Sequence, residues 1–393
     1  YRFWVRIFAL AFILCFASSM PVLIQLGSLW PNLVPKIHAV LGPILAVTLF
    51  GALLFKACFL GLMLYGQRQM SEWLHAGMVT GVALGLSFVS LCLLAWVAWM
   101  QGPQGGQWVD GMYQVLNWHH VLWTPTFAWY ASQFISASFV LVALVLIAVL
   151  AMQSIRRPLG EGERRLFKVA VYLGSVAWLV LCVVSLVGGT ALVDYQPMKA
   201  AAAMGYWGEG AVPRWLLMAW PSESQLMNLY ELGWNSANTK WLAKTEDGFL
   251  GLEERVGMTP PVAVVFWSIR LALLAAILSL FVLLKGWRLG WSKHYDPSAL
   301  SLFSRRCLVL AGFLGPLLLM AGLAYHYFGA FPYIVSHTIT FAEVWAPRSV
   351  SQSVLGLVSY GVLYLLLAAG FISLVRYVAR YGVISVARRR GRA

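Results

Sequence analysis

The chain has 393 residues, of which 61% are hydrophobic and 11% charged, against roughly 25% charged in a soluble domain, which excludes a water-soluble enzyme. Its 28 Lys and Arg outnumber 14 Asp and Glu, for a formal charge of +14. Such a balance suits either nucleic acid or an anionic membrane surface, and the apolar content favours the membrane.

A hydrocarbon core about 30 Å thick needs about 20 apolar residues of helix. Eight runs reach that length, at approximately 3–27, 41–65, 75–100, 124–152, 167–188, 261–286, 305–328 and 352–378. They predict an all-α polytopic membrane protein, a helical bundle of about eight transmembrane helices. The first run follows Tyr1 rather than a Met and shows no obvious cleavage site, so a further N-terminal segment is expected ahead of it. The second carries Lys56 near its centre. In the third, Gly77, Gly81 and Gly85 recur every four residues, a strip where another backbone is expected to approach closely, within the subunit or at an interface. Between the fifth and sixth runs lies an external connection, 189–260, holding Trp207, Trp215, Trp220, Trp234, Trp241 and most of the acidic residues. Its aromatic content predicts that it lies along the membrane surface or against a partner. The chain therefore divides into 1–188 with five spans, the 189–260 loop, and 261–393 with three spans and a basic tail.

With Tyr1 on the cytoplasmic side, the cytoplasmic segments and helix ends collect 19 of the 28 basic residues, among them Arg156, Arg157, Arg164, Arg165, Arg305, Arg306 and the Arg388–Arg390 run. Both termini are expected in the cytoplasm, and topology accounts for the positive charge without nucleic acid.

No Asp or Glu falls in the middle of a span, which argues against a proton pump or a sodium-coupled transporter, since both need ionisable groups at depth. No internal repeat or matched pair of broken helices points to an inverted-repeat transporter. The two charges at depth are cations, Lys56 and Arg270, with no carboxylate at helical spacing. Burying an unpaired cation costs at least about 2.5 kcal/mol, so each needs an anionic or carbonyl partner or must snorkel. The five cysteines lie in apolar runs without CxxC spacing and read as packing residues. Of the seven histidines, His75 and His326 lie at opposite ends of their spans, unlike the facing pairs at similar depth of a membrane di-haem protein. His119 and His120 are adjacent and point different ways on a helix, so they suit interfacial hydrogen bonding better than a metal.

Several strings resemble the cytochrome bd quinol oxidase subunit I family: RFW at Arg2–Trp4, WMQGP at Trp99–Pro103, the QPMKAAAAMGYW stretch from Gln196 to Trp207, Pro221 in AWP, PPVAVVFWSIR ending at Arg270, and HYFGAFPY from His326 to Tyr333. The Gln196 stretch is similar to the opening of the family's quinol-binding loop, and the Arg270 span to the one that carries an arginine near the low-spin haem. The resemblance covers nearly the whole chain. The family's first helix, with another haem histidine, has no counterpart, and eight spans starting in the cytoplasm fit the nine-span family fold without it.

The departures fall on the residues that hold haem. Alignment through FAWYASQF places Trp129 where the family has a histidine ligand, and Ala272 where it has a methionine ligand. The glutamate of the high-spin haem site aligns with Met320, and two membrane glutamates align with Thr48 and Lys56. The loop lysine survives as Lys199, but its companion glutamate becomes Met204. The resemblance thus implies a chain that binds no metal or haem of its own and pairs as a structural subunit with a haem-bearing subunit I homologue in a respiratory quinol oxidase of a prokaryotic cytoplasmic membrane. Small single-span subunits and membrane lipids are further expected partners. Lys199, Arg270, Lys56 and Trp207 are candidates to hold a structural quinone or lipid. Two other readings stay open: a catalytic quinol-oxidising subunit with altered ligation through His326 or His75, and an anion transporter or channel lined by Lys56 and Arg270.

Overall fold

The computed structural model describes residues 2–66, 69–208, 215–234, 251–255 and 257–381. All eight predicted spans are helices long and apolar enough to cross a membrane: Phe3–Leu29, Leu33–Tyr65, Glu72–Gln101, Trp118–Arg156, Glu161–Gly189, Val262–Lys293, Leu302–Phe328 and Val350–Val378. The chain is a multi-pass membrane protein. Its Cα positions group into two compact units, one of 1–96, 105–118 and 342–393, the other of 97–104 and 119–341.

In the first unit, α1 (Arg2–Leu29) runs beside α13 (Val350–Tyr381), with the Tyr364 hydroxyl donating to the Ser18 carbonyl at 3.3 Å. α2 (Leu33–Phe55) passes through a π-helical turn, Lys56–Leu60, into α3 (Gly61–Tyr65). The Lys56 side chain lies outside the described residues. α4 (Glu72–Gln101) carries the glycine strip. Among the described residues it receives rings: a Cβ on Gly85 would fall 2.1 Å from the Phe55 ring and one on Gly81 3.1 Å from the Phe59 ring, while one on Gly77 would meet nothing within 4 Å. The contact is therefore packing within the subunit, made by side chains: Phe55 and Phe59, four residues apart, share one helix face with ring centroids 5.7 Å apart. A hairpin of β1 (Gly106–Val109) and β2 (Met112–Val115) follows, then the short α5 (Trp118–Leu122).

The second unit is built on α6 (Phe127–Arg156), α7 (Glu161–Tyr195), α9 (Val262–Lys293) and the continuous α10 (Leu302–Leu310), 3-10 turn and α11 (Leu314–Phe328). With little hydrophobic drive between helices in lipid, close approach depends on small residues. A Cβ on Gly174 would meet Ala143 of α6 at 2.9 Å and Leu283 of α9 at 2.8 Å, one on Gly286 would meet Val171 at 2.6 Å, and one on Gly315 the Leu141 Cα at 2.6 Å. Val140, Leu144, Leu181, Ala275 and Leu318 fill the centre.

The described residues of the 189–260 connection include a helix and a hairpin. α7 continues to Tyr195; α8 (Pro197–Met204) then starts on Pro197, whose missing N–H costs a first turn nothing. It ends at Gly205 with φ +66°, where the Gly205 and Tyr206 amides donate to the Ala202 and Ala201 carbonyls, a left-handed close that glycine takes without strain. A second hairpin pairs β3 (Trp215–Ser222) with β4 (Met227–Trp234), and a third, small one pairs β5 (Tyr333–Val335) with β6 (Ile339–Thr340) before α12 (Phe341–Val344).

Candidate functional site

α8 sets its lysine into the body of the second unit. Lys199 is 1% exposed, and its Nζ donates to Gln196 Oε1 at 3.1 Å and lies 3.3 Å from His326 Nδ1 at the end of α11. The ammonium also stands 4.8 Å from the Tyr325 ring centroid and 5.9 Å from that of Tyr130, within range of cation–π attraction. Gly329 makes room for the stem, since a Cβ there would fall 2.7 Å from Lys199 Cγ. The network extends both ways. His326 Nε2 bonds Gln133 Oε1 at 3.1 Å, and Gln133 Nε2 reaches Ser185 Oγ on α7 at 3.5 Å. Gln196 Nε2 donates to Gln101 Oε1 at 3.0 Å, which also accepts from the Tyr130 hydroxyl. Amides, one imidazole and aromatic faces surround the lysine, and none of these partners is a carboxylate. Burial lowers the Lys199 pKa from 10.5 to about 7, because low polarity disfavours the charged form.

Arg270 answers the sequence expectation with carbonyls. Its Nη1 donates to Ala203 O at 2.9 Å and Phe266 O at 2.8 Å, its Nη2 to Leu216 O at 2.6 Å and its Nε to Leu217 O at 3.2 Å. The guanidinium plane stacks on the Phe266 ring at 3.2 Å. One side chain thus ties the end of α8 and the start of β3 to α9, using the fixed fork of donors that only arginine offers. Trp207 is 7% exposed and packs with Ala201, Ala202, Leu252, Val262 and Val265. Its indole N–H donates to Asn228 Oδ1 at 2.8 Å, and Asn228 Nδ2 donates to Gly205 O and Glu231 Oε1.

Three of the four candidates, Lys199, Arg270 and Trp207, therefore gather around α8. Of the residues aligned with haem-binding positions, Trp129 lies against Gly188 of α7, 3.7 Å from a Cβ built there. Ala272 packs on the central cluster, Met320 is 69% exposed, and the Thr48 hydroxyl, buried in the other unit, donates to Ile44 O at 2.7 Å. His75 Nε2 lies 3.1 Å from Met63 O, and the His119 and His120 rings meet edge to face at 5.5 Å. Among the described residues, no three His, Cys, Asp or Glu side chains come together as a metal site. Tyr130, Gln133, Gln101 and Gln196 join the Lys199 network without having been singled out as site residues, although the FAWYASQF, WMQGP and QPMK strings contain them.

The comparisons with known proteins agree with this architecture. A family model described as cytochrome bd terminal oxidase subunit I matches residues 1–383. The chain is 23% identical over 381 residues to "Cytochrome bd ubiquinol oxidase subunit 1" of Bacillus subtilis, covering 94% of this chain and 81% of that one. It is 24% identical over 234 residues to "Cytochrome bd-II ubiquinol oxidase subunit 1" of Escherichia coli, covering 59% of this chain and 46% of the relative. Its fold is similar to that of bd oxidase from Geobacillus thermodenitrificans, with TM-score 0.82 and 20% identity over 97% of this chain and 87% of that one. The match of the family model along almost the full length places the chain in the cytochrome bd terminal oxidase subunit I family.

Proposed function

We propose that this chain is a haem-free, structural member of its family, which pairs with a haem-bearing subunit I homologue in a bd-type quinol:oxygen oxidoreductase of a prokaryotic cytoplasmic membrane. The observation that carries the reading is the chemistry at the aligned ligand positions. Haem iron takes an imidazole, thiolate, thioether or phenolate. Trp129 offers an indole N–H that can only donate, and Ala272 a methyl group committed to packing. The Met320 thioether is on the outside of the unit. The centre between α6, α7, α9 and α11 is closed by contacts such as Gly174 against Ala143 and Leu283. His326, the imidazole closest to the loop, has both nitrogens engaged by Lys199 and Gln133. These residues do not fit a haem, and no redox step is assigned to them.

The subunit's work in this reading is architectural: to cover a partner's lipid-facing helices and limit access to its haems. Lys199, Arg270 and Trp207 shape the 196–234 region, and a quinone or lipid held there would contact the surface they support. The gathering of Arg157, Arg164, Arg165, Lys168 and Arg305 at the opposite end of the second unit supports a cytoplasmic position for that end.

The absorption spectrum of the chain purified without its partner tests the reading. The expected result is no stoichiometric haem band, together with co-purification of a haem-bearing homologue from the native membrane. A haem signal that disappears in His326→Ala would replace the reading with a catalytic subunit of altered ligation, and anion flux in liposomes with the chain alone would replace it with a channel.

A further inference from the structure

The β3–β4 hairpin is tied to α9 at two heights. At its turn, Glu223 Oε1 accepts from the Val262 amide at 2.8 Å, at the first residue of the helix. At its open end, the Leu216 and Leu217 carbonyls accept from Arg270, whose guanidinium turns back to the Phe266 carbonyl, four residues and therefore about 6 Å further along the axis than Val262. The hairpin thus lies along the first turns of a membrane span, turn outermost and open end deepest. The depth follows from the charges of α9. Lys285 is the first charged residue after Arg270, and counting back about 20 residues from it puts the other edge of the hydrocarbon near Val265. Arg270 and the carbonyls it holds stand at or just inside that edge.

What the hairpin exposes matches that depth. Leu217, Met218, Trp220, Tyr230, Leu232 and Trp234 all face outward, and Tyr230 is 92% exposed. Further along α9, Leu271, Leu273 and Leu274 are exposed as well. Around the turn, Glu223 and Ser224 are exposed instead. The backbone is shaped for this display. The ladder passes from Trp220–Leu229 to Met218–Leu232, so Tyr230 and Glu231 both stand opposite Ala219, and Tyr230 takes φ +54°. A bulge with a left-handed residue ordinarily uses glycine there; an aromatic in that conformation is strained and is re-aimed outward.

We propose that this hairpin is a membrane-dipping element whose Trp and Tyr side chains occupy the lipid headgroup zone beside α9, with the open end touching the acyl boundary. Trp and Tyr have an apolar body and a polar tip, which suits that zone, and a hairpin with unpaired edges is tolerated there but not in the hydrocarbon core. The proposal holds whether or not the chain carries haem.

The test uses the protein with whatever partner it retains on purification, reconstituted in phosphatidylethanolamine–phosphatidylglycerol vesicles. Spin labels are placed by Ser224→Cys, Trp220→Cys, Leu232→Cys and Trp234→Cys in a background with the five native cysteines replaced. Collision rates with dissolved oxygen, relative to those with a water-soluble nickel chelate, are expected to rise severalfold from Ser224 to Trp234. In the unaltered protein, a photoactivatable group on the lipid headgroup is expected to label the 215–234 peptide. The proposal is overturned if Leu232 and Trp234 labels meet the nickel reagent as freely as Ser224, if they are shielded from both reagents as under a protein partner, or if the lipid-borne probe misses that peptide.

Discussion

At one end of the second unit, Arg157, Arg164 and Arg165 each face a carboxylate: Glu163, Asp296 and Glu161. At the other, Lys199 and Arg270 face amides, carbonyls, an imidazole and aromatic rings. The first set grades from the open Arg165–Glu161 pair, 77% and 79% exposed, to the half-buried Arg164–Asp296 pair, and where water shares the work, as at Arg165, little stability depends on the pair. The second set is enclosed, and each partner there is a polar group that would otherwise stand unsatisfied. Buried cations held by dipoles fix the backbone that supplies those dipoles; exposed pairs decorate a surface whose sign orients the chain.

The contrast predicts a graded series. Arg270→Met leaves the Ala203, Leu216 and Leu217 carbonyls without this donor and removes its ties from α8 and β3 to α9. Thermal unfolding in detergent should show a loss of about 3 kcal/mol or more, since each buried partner left unmade costs about 1–3 kcal/mol. Arg270→Lys recovers only part of it, because an ammonium cannot span carbonyls on two elements.

The next effect is a pH dependence. Lys199 has a pKa of about 7 when folded and about 10.4 when unfolded, so between those values the unfolded chain binds more protons than the folded one. Stability rises with pH across this window and is lowest below about pH 7, where the buried group must carry its charge. Lys199→Met should remove that rise, flattening the difference in melting temperature between pH 7 and pH 10. A profile for Lys199→Met as steep as that of the parent would show that other groups govern it.

Tyr230→Gly should raise stability by about 1 kcal/mol, because the left-handed conformation costs a non-glycine residue about 1–2 kcal/mol while glycine loses some of that gain to chain entropy. At the exposed end, Arg165→Ala should change stability by less than about 0.5 kcal/mol in a chemical or thermal melt. A larger loss there than at Arg270 would reverse the contrast.

The sequence revealed the spans and the positive end because those rest on runs of about 20 apolar residues and on counted charges, signals that survive without knowing any contact. It also showed that Arg270 needed a carbonyl or an anion. It did not show which carbonyls, since Ala203 and Leu216 are far from Arg270 along the chain and the hairpin that presents Leu216 has register shifts that break its alternation. The seat for Phe55 and Phe59 was hidden for a similar reason: a four-residue glycine spacing says that something approaches, and only the pairing of α2 and its continuation with α4 decides that it is a ring. Tyr130 and Gln133 entered the sequence reading only through the FAWYASQF string, since their partners, Gln101 of α4 and His326 of α11, lie far along the chain.

The bonds made by His326 have a further consequence. With Lys199 donating to Nδ1, the ring hydrogen resides on Nε2 and points at the Gln133 oxygen, which leaves the Gln133 amide to donate to Ser185. Every link from α8 to α7 then runs the same way. To reverse the chain, the imidazole must change tautomer, the glutamine must turn over and Lys199 must lose a proton so that its amine can accept, so the row of side chains has a built-in polarity, like a ratchet tooth that yields only when all its neighbours move.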